Sequence, residues 1–359
     1  MALRIREAEP SDNERLIGLA RECPMRGIVT LYVDRAPDFF FLNRLQGDEW
    51  RVYVAEENGE LIGSLSVAYR QAFVEGRPCR IAYLSDVKIL PKYRGSTVAY
   101  RLLAAMFDAE RSNDFDYFVC SALEGNTTVT TLFQGRTGFP SLHPVGVVHV
   151  VNNIPTRLPG RNNRTKVRRA ADGDVEKIVV LLNKFHRSQQ FAPVFSPDSF
   201  LSMIRTSTGL SLNDYFLVEE GDSISAVASC WDQAASKRLV IERHSATTQA
   251  LVLASRIGSA FGIIPRLPGP HQPLRVLQVR HVAFAERNKE AARGPISFLL
   301  DRGEREGYHI VQIALSHEDV GLLPHSLRVS VSLQVFCGSL RHDVKKLNGQ
   351  RVYEDVCLV

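Results

Sequence analysis

The sequence predicts an α/β protein of the mixed-sheet (α+β) kind, built as two tandem domains that each have a central mixed β-sheet flanked by helices. Three observations lead to this prediction. The chain has 359 residues, more than one hydrophobic core usually serves. Strand-like runs alternate with amphipathic helical runs. The order of these runs in the first half returns in the second half.

An internal repeat marks where each domain begins. Residues 5–17 and 167–179 both indicate a short strand, then a turn, then apolar residues at helical spacing. Each turn contains an aspartate, Asp12 or Asp174, in a position where its side chain can cap the following helix. We therefore expect two copies of one α/β unit.

The repeat continues in the same order through both halves. Each half has a hairpin and then a buried strand preceded by an amphipathic helix, at residues 52–65 and 116–122 in the first copy and 215–227 and 308–314 in the second. Pro, Gly, Asn and Arg concentrate between the copies. We expect domains at residues 1–155 and 167–359, joined by a linker at 156–166.

Composition limits the classes of function. A net charge of +5 suits an anionic small ligand and gives no reason to expect nucleic acid. The basic run at 157–169 is typical of a solvated linker. Six scattered cysteines without a C-x-x-C pair indicate reduced thiols, and ten histidines show no metal spacing. The N-terminus has charges where a signal peptide needs an apolar run, and no apolar stretch approaches the roughly 20 residues that span a bilayer. These features predict a cytoplasmic protein without a membrane partner; the oligomeric state stays open.

The most informative segment is residues 81–109. A β-branched strand stops at Pro91, and a helix with apolar residues at helical spacing begins near Val98. The loop between them, residues 94–97, reads Arg-Gly-Ser-Thr. A helix N-terminus presents unpartnered N–H groups and positive potential, so this arrangement predicts an anion site. Gly95 lets the backbone approach a phosphate closely, and Arg94 can add a charge-assisted hydrogen bond.

This segment resembles the signature stretch of the GNAT acyltransferases. In that family, a strand ending in Val-x-Pro leads into Arg/Gln-x-x-Gly-x-Gly/Ala and a helix. Arg94, Gly95 and Ala99 match the pattern. Thr97 stands where the family normally has glycine, and its hydroxyl can itself donate to a phosphate.

A second stretch, residues 126–139, resembles the GNAT helix Asn-x-x-Ala-x-x-Leu-Tyr-x-x-x-Gly-Phe. Asn126 matches the residue that contacts the pantetheine arm or the neighbourhood of the thioester. Phe133 replaces the tyrosine that protonates the departing thiolate in many members, and one extra residue separates it from Gly138. Both motifs lie in the first 155 residues.

The resemblance implies an N-acyltransferase that uses acetyl-CoA or another acyl-CoA and acts on a small-molecule amine by direct attack on the thioester. The pantetheine is expected to lie as a pseudo-strand against residues 87–89, between this strand and residues 117–122. A backbone N–H near Ile89 would stabilise the developing oxyanion. The implied cofactor-binding residues are Val87, Lys88, Ile89, Arg94, Gly95, Ser96, Thr97, Val98, Ala99, Tyr100, Asn126 and Phe133.

An amine is protonated at neutral pH, so a base must take its proton. Ser85 and Asp86 stand where many GNAT members carry an acidic pair, and Asp86 is the candidate base. The alternative is that Asp86 faces solvent or forms a salt bridge with Lys88 or Arg80; Glu124 and Glu56 are further candidates for the base. Cys120 lies in an apolar strand, where an inert thiol is expected. With phenylalanine at 133, the thiolate leaves unprotonated, or Tyr83, Tyr100 or water protonates it.

The second copy keeps only Arg293-Gly294 of the loop, and Pro295 lacks an N–H that a phosphate would need. We expect this copy to be cofactor-free. Acceptor specificity is expected to come from residues 25–43, which include Tyr32, Asp34, Arg35 and Asp38. The aromatic run that begins at Phe39 is expected in the core or in a domain contact, with an acyl or acceptor wall as the alternative. The alternative function is that of a non-catalytic acyl-CoA-binding or regulatory protein, and a second alternative is an enzyme for a long acyl chain.

Overall fold

Mixed sheets flanked by helices organise the chain, as the alternating pattern predicts. The computed structural model describes residues 3–25, 27, 29–132, 141–156, 165–244, 252, 255–256, 258–285 and 288–359. Within these ranges, twelve strands form one continuous sheet and three more form a smaller one. The longer helices are α1 (Asn13–Arg21), α2 (Phe41–Gln46), α3 (Val98–Glu110), α4 (Thr127–Leu132), α5 (Val175–His186), α6 (Pro197–Thr206) and α7 (Arg293–Arg305).

The two halves of the large sheet repeat one strand plan. The first half runs in the order β1 (Arg4–Glu7), β3 (Glu49–Glu57), β4 (Glu60–Val74), β5 (Arg77–Ile89) and β6 (Tyr117–Leu123). The second half runs from the opposite edge in the order β8 (Arg168–Arg169), β9 (Tyr215–Glu220), β10 (Ser223–Asp232), β13 (Val276–Phe284) and β14 (Ile310–Ser316). In both, a parallel pair follows antiparallel strands. The mixed α/β architecture is confirmed, and the strand order of the first half recurs in the second.

The two halves exchange their last strands at the centre of the sheet. β7 (His143–Ile154) pairs with β14 of the second half, and β15 (Leu327–Gly338) pairs with β6 of the first half. β7 and β15 also pair with each other over almost their full lengths. Each half therefore depends on a strand from the other to continue its sheet.

The smaller sheet also joins the halves. β2 (Val29–Asp34) pairs with β11 (Arg238–His244), which pairs with β12 (Pro273–Leu274). Asp34 accepts hydrogen bonds from Arg21 and from Arg238. The region expected to determine acceptor specificity is thus packed against the second half. The expected linker at 156–166 lies mostly outside the described residues, so its exact bounds stay a prediction.

The hairpins form at the predicted turns. Glu57 pairs with Glu60 across Asn58 and Gly59, which both have positive φ, and Glu220 pairs with Ser223 across Gly221 and Asp222. Each turn aspartate caps the short 3-10 turn that leads into the helix: Asp12 accepts from the N–H of Glu9, and Asp174 accepts from the N–H of Ala171. Among the described contacts, Asp12 makes no capping hydrogen bond to α1 itself and also binds the guanidinium of Arg6. A guanidinium offers a charge-assisted pair that a helix N–H does not.

The residues after β15, here called the C-terminal segment (339–359), lie between the halves. Val344, Leu347 and Val352 pack with Tyr83 and Val119 on one face of the sheet. The N–H of Tyr353 donates to the carbonyl of Gln190 at 2.9 Å. The segment therefore reaches the middle of the large sheet from a position late in the chain.

Candidate active site

A cleft opens in the first half where β5 and β6 diverge. The parallel ladder between them runs from Ile81–Tyr117 to Leu84–Cys120, and among the described residues it goes no further. Residues 85–89 of β5 therefore have no strand partner on this side. Backbone groups of such a strand end can bind an extended ligand as a neighbouring strand does.

A β-bulge lies at the mouth of this cleft. Asp86 and Val87 both lie opposite Leu65 of β4, and Asp86 has φ +51°. The carbonyl of Asp86 accepts a hydrogen bond from the Ser64 hydroxyl at 3.0 Å. Val87 is 42% exposed, an unusual fraction for a valine in a sheet, because the bulge turns it out of the core. The bulge thus re-aims the strand beside the cleft.

The loop from β5 to α3 has the features of an anion site. Gly95 has φ +84°, a conformation that favours glycine, and a Cβ there would meet nothing within 4 Å. The Ser96 hydroxyl donates to the carbonyl of Tyr93 at 2.6 Å and accepts from the N–H of Val98 at 3.3 Å. Arg94, Ser96 and Thr97 are exposed, and the next N–H groups of α3, those of Ala99 and Tyr100, belong to its first turn. The expected phosphate loop therefore stands open at the end of β5.

Residues 87–89, which are expected to bind the pantetheine, and Asn126 lie on either side of the cleft. Ile89 is held in place by its carbonyl, which accepts from Arg94 Nε and from the Cys23 thiol, both at 3.3 Å. Asn126 precedes α4, and its side chain accepts from the N–H of Val129 at 3.3 Å. A cavity of about 520 Å³ adjoins it, lined by Leu123, Asn126, Leu142, Gln334 and Phe336 among others. Phe133, the position of the family's acid, lies outside the described residues.

Asp86 lies in a cluster of cations. Its carboxylate accepts from Arg35 Nη1 at 3.0 and 3.2 Å and from Asn43 Nδ2 at 3.4 Å, and Lys88 Nζ lies 3.8 Å away. Burial alone would raise the pKa of Asp86, but the charges of Arg35 and Lys88 outweigh burial and lower it. The salt bridge expected as the alternative therefore forms with Lys88 and with Arg35, while Arg80 pairs with Glu49. A carboxylate held in this way is ionised and is a weak proton acceptor.

Ser85 is buried, and its hydroxyl is engaged in a hydrogen bond within the protein. Its hydroxyl donates to Gln46 Oε1 at 3.0 Å, and Gln46 Nε2 donates to the carbonyl of Leu358 at 2.6 Å. This chain of hydrogen bonds connects β5, α2 and the C-terminal segment. Ser85 thus supports the position of neighbouring elements, and a direct role in chemistry stays a prediction.

The other candidates are distributed around the cleft. Glu56 pairs with Arg6 and Arg15, and Glu124 is exposed at the rim of the large cavity. Cys120 is buried, and burial raises its pKa well above the usual value, so the thiol is inert. Tyr83 is buried as well, and its hydroxyl donates to Glu354 of the C-terminal segment.

Two buried groups at the contacts of the C-terminal segment belong to no sequence motif and were not predicted from the sequence. Glu354 accepts a hydrogen bond from the Tyr83 hydroxyl at 2.7 Å. Lys237 Nζ donates to the carbonyls of Val356 at 3.0 Å and Cys357 at 3.3 Å, and burial lowers its pKa to about 8. Both come from segments that fold against the first half only in three dimensions, so spacing along the chain offered no signal.

The gap between β13 and β14 and the loop before α7, which correspond to the cleft and the anion loop of the first half, are closed. His281 has φ +52° at a bulge opposite Ala228 of β10, and β13 and β14 pair only from Val276–Ile310 to Val279–Ile313 within the described residues. A cavity of only about 40 Å³ lies here, and the C-terminal segment lines it. At the start of α7, Gly294 and Pro295 are buried, and a Cβ on Gly294 would lie 2.8 Å from Thr165 Cγ2. Thr165 therefore occupies the space that a phosphate would need.

The described residues contain no group of three or more acidic, histidine or cysteine side chains arranged to hold a metal ion. No helix among them is long and apolar enough to cross a membrane.

Residues 4–125 match the family model of the acetyltransferase (GNAT) domain. This span contains the bulge, the cleft and the phosphate loop. Residues 4–125 therefore form a GNAT acetyltransferase domain. The chain is an acyltransferase enzyme, and the match ends just before Asn126. No curated protein sequence matches this chain.

Solved structures share the fold of this enzyme across nearly its whole length. N-myristoyltransferase of Saccharomyces cerevisiae with bound myristoyl-CoA is 12% identical, with a TM-score of 0.61 over 98% of this chain and 89% of that chain. A GCN5-related N-acetyltransferase from Anabaena variabilis is 12% identical, with a TM-score of 0.54 over 94% and 72%. One from Kribbella flavida is 13% identical, with a TM-score of 0.51 over 94% and 71%. At these identities the likeness concerns the fold alone.

Proposed function

We propose that the chain transfers the acyl group of acyl-CoA, acetyl-CoA in the first instance, to the nitrogen of a small-molecule amine. The observation that carries this proposal is the juxtaposition of an unpaired strand end, residues 85–89, with the open Arg94–Val98 loop at the start of α3. An extended pantetheine fits the strand end, and the pyrophosphate fits the helix N-terminus. The residues proposed to bind CoA are therefore those of 87–89 and 94–100, with Asn126 beside the thioester.

The acceptor is proposed to enter at the junction of the halves. Asp86, Arg35 and Asn43 form a buried polar cluster there, on the side of β5 that α2 covers. An ammonium group of the acceptor can bind the Asp86 carboxylate in place of Lys88, whose Nζ lies 3.8 Å away, more easily than in place of the closer Arg35. A backbone N–H near Ile89 donates to the thioester oxygen as charge develops on it. The ammonium group first releases one proton to solvent, and the neutral nitrogen then attacks the carbonyl carbon. The thiolate leaves and receives the second proton, which the nitrogen loses as the amide forms.

A longer acyl chain is the second candidate donor, favoured by the cavity of about 520 Å³ beside Asn126. Its lining includes Leu123, Leu142 and Phe336, which offer an apolar surface to a hydrocarbon chain. The yeast neighbour was solved with myristoyl-CoA. The same site would then hold CoA and extend toward β15.

Release of free thiol from acetyl-CoA and from myristoyl-CoA tests both donors. Spermidine, glucosamine and tyramine represent an alkyl polyamine, an amino sugar and an aromatic monoamine. Amine-dependent thiol release above a no-enzyme control supports the proposal, and the faster donor identifies the acyl length. A wild-type protein that binds CoA but releases no thiol with any of these amines would instead be a binding protein.

A further inference from the structure

Glu354, late in the sequence, is buried against the sheet close to the end of the β5–β6 ladder. Tyr83 immediately precedes Leu84, the last β5 residue in the ladder, and Ser121 immediately follows Cys120, the last in β6. The Glu354 carboxylate accepts from the Tyr83 hydroxyl at 2.7 Å, and its other polar neighbours from the sheet are Arg70 and Ser121. The carboxylate therefore lies over β5 and β6, close to the point where they separate.

We propose that Glu354 is the general base of the acyl transfer, so that the C-terminal segment supplies a catalytic group to the cleft of the first half. This inference rests on the proposed function. The amine nitrogen forms a bond to the thioester carbon, the carbon–sulfur bond breaks, and the sulfur leaves with the electron pair. The amine proton moves to a Glu354 carboxylate oxygen and then to the thiolate. CoA leaves as a thiol and the carboxylate is restored, so neither an oxidant nor a further reactant is needed.

The surroundings of Glu354 suit it to this role better than those of Asp86. Burial raises the pKa of Glu354 above the usual value, an effect to which Asp355 adds; Tyr83, Arg70 and Ser121 oppose it. A carboxylate with a raised pKa is a stronger proton acceptor near neutrality. Arg70 lies over the Tyr83 ring, 4.7 Å from its centroid, and therefore stabilises the carboxylate without direct pairing. Asp86, in contrast, is paired with Arg35 and its pKa is lowered.

The pH dependence of the rate tests the inference. Glu354→Gln keeps an oxygen that accepts from Tyr83 but cannot take a proton, so kcat with acetyl-CoA and spermidine should fall by about 10²- to 10⁴-fold. The wild-type kcat should fall at low pH as Glu354 is protonated, and this acid limb of the pH–rate profile should disappear in the variant. Tyr83→Phe removes a donor that favours the carboxylate, so the acid limb of this variant should move to higher pH.

Glu110→Gln is the matched control. Glu110 is also buried and accepts from tyrosine hydroxyls, those of Tyr53 and Tyr69, but it lies on α3 away from the cleft. This variant should lose stability and keep the wild-type pH profile. Each variant is first checked for a CoA-induced rise in Tm, which separates loss of folding from loss of chemistry.

The outcomes separate the two proposals. If the wild type is active and Glu354→Gln retains its rate and acid limb, the inference about Glu354 is overturned and the proposed function stands. If the wild type binds CoA but releases no thiol with any of the three amines, both proposals are overturned, because there is no proton transfer for Glu354 to perform.

Discussion

Arg6 and Asp12 are joined by two hydrogen bonds, 2.6 and 2.9 Å long, between guanidinium and carboxylate. Arg168 and Asp174 repeat the pair in the second half at 2.7 and 2.8 Å. In each half the aspartate also accepts from a backbone N–H of its own turn. The repeat of residues 5–17 at 167–179 thus contains the same ion pair in both halves, here called the clamp (Arg6–Asp12 and Arg168–Asp174). The clamp joins the first strand of each half to the turn that follows it.

This clamp predicts acid sensitivity. The hydrogen bond from Arg6 outweighs burial and lowers the pKa of Asp12 from 3.8 to about 2. A lowered pKa gives stability that is present above about pH 4 and is lost as pH falls toward 2. Asp12→Asn should therefore lower the free energy of unfolding by about 2 kcal/mol at pH 7 and by less at pH 3, measured by urea unfolding. Asp108→Asn is the control: Asp108 pairs with Arg111 on an exposed face, so its loss should change little.

Binding of CoA should raise the Tm of the intact protein, since a ligand that binds only the native state stabilises it. Gly95→Val should abolish this shift, because a branched side chain is strained at φ +84° and obstructs the loop. Gly221→Val is the matched control, with similar strain at φ +60° in a hairpin of the second half. Differential scanning fluorimetry with and without about 1 mM CoA compares the wild type with the two variants. Equal shifts in all of them would show that the loop does not bind CoA.

Stoichiometry distinguishes the two halves. Thr165 packs against Gly294 at the start of α7, and the C-terminal segment lines what remains of the second cleft. Isothermal titration calorimetry with CoA should therefore give one site per chain. Two equivalent sites would mean that the second copy opens and is not cofactor-free.

Asp86→Asn tests what the buried carboxylate does. If Asp86 attracts the ammonium form of the acceptor, the variant should raise the KM for spermidine more than it lowers kcat, and the acid limb of kcat should remain. CoA affinity should stay near that of the wild type. If kcat instead falls by about 10²-fold or more and the deficit shrinks as pH rises, Asp86 is the base that its position in the sequence indicated.

Local signals predicted most of what proved correct. The Asn58-Gly59 turn, the strand ending before Pro91 and the helix from Val98 each depend on residues close together in the chain. The exchange of β7 and β15 was not predicted, because pairing between distant strands leaves no local pattern. Glu354 was missed for the same reason: a single glutamate near Tyr353 and Asp355 has no spacing that indicates a site, and only the path of the C-terminal segment brings it to Tyr83.

The exchange of strands has a consequence for synthesis on the ribosome. Domains usually fold as units while the chain emerges, the N-terminal one first. Here β6 has its partner only when β15 emerges, after residues 167–326 of the second half have been translated. Until then the edge of β6 is unpaired, and an unpaired edge can join another chain. Nascent chains stalled before residue 327 should therefore need a chaperone, or become insoluble, even though residues 4–125 contain the whole family match.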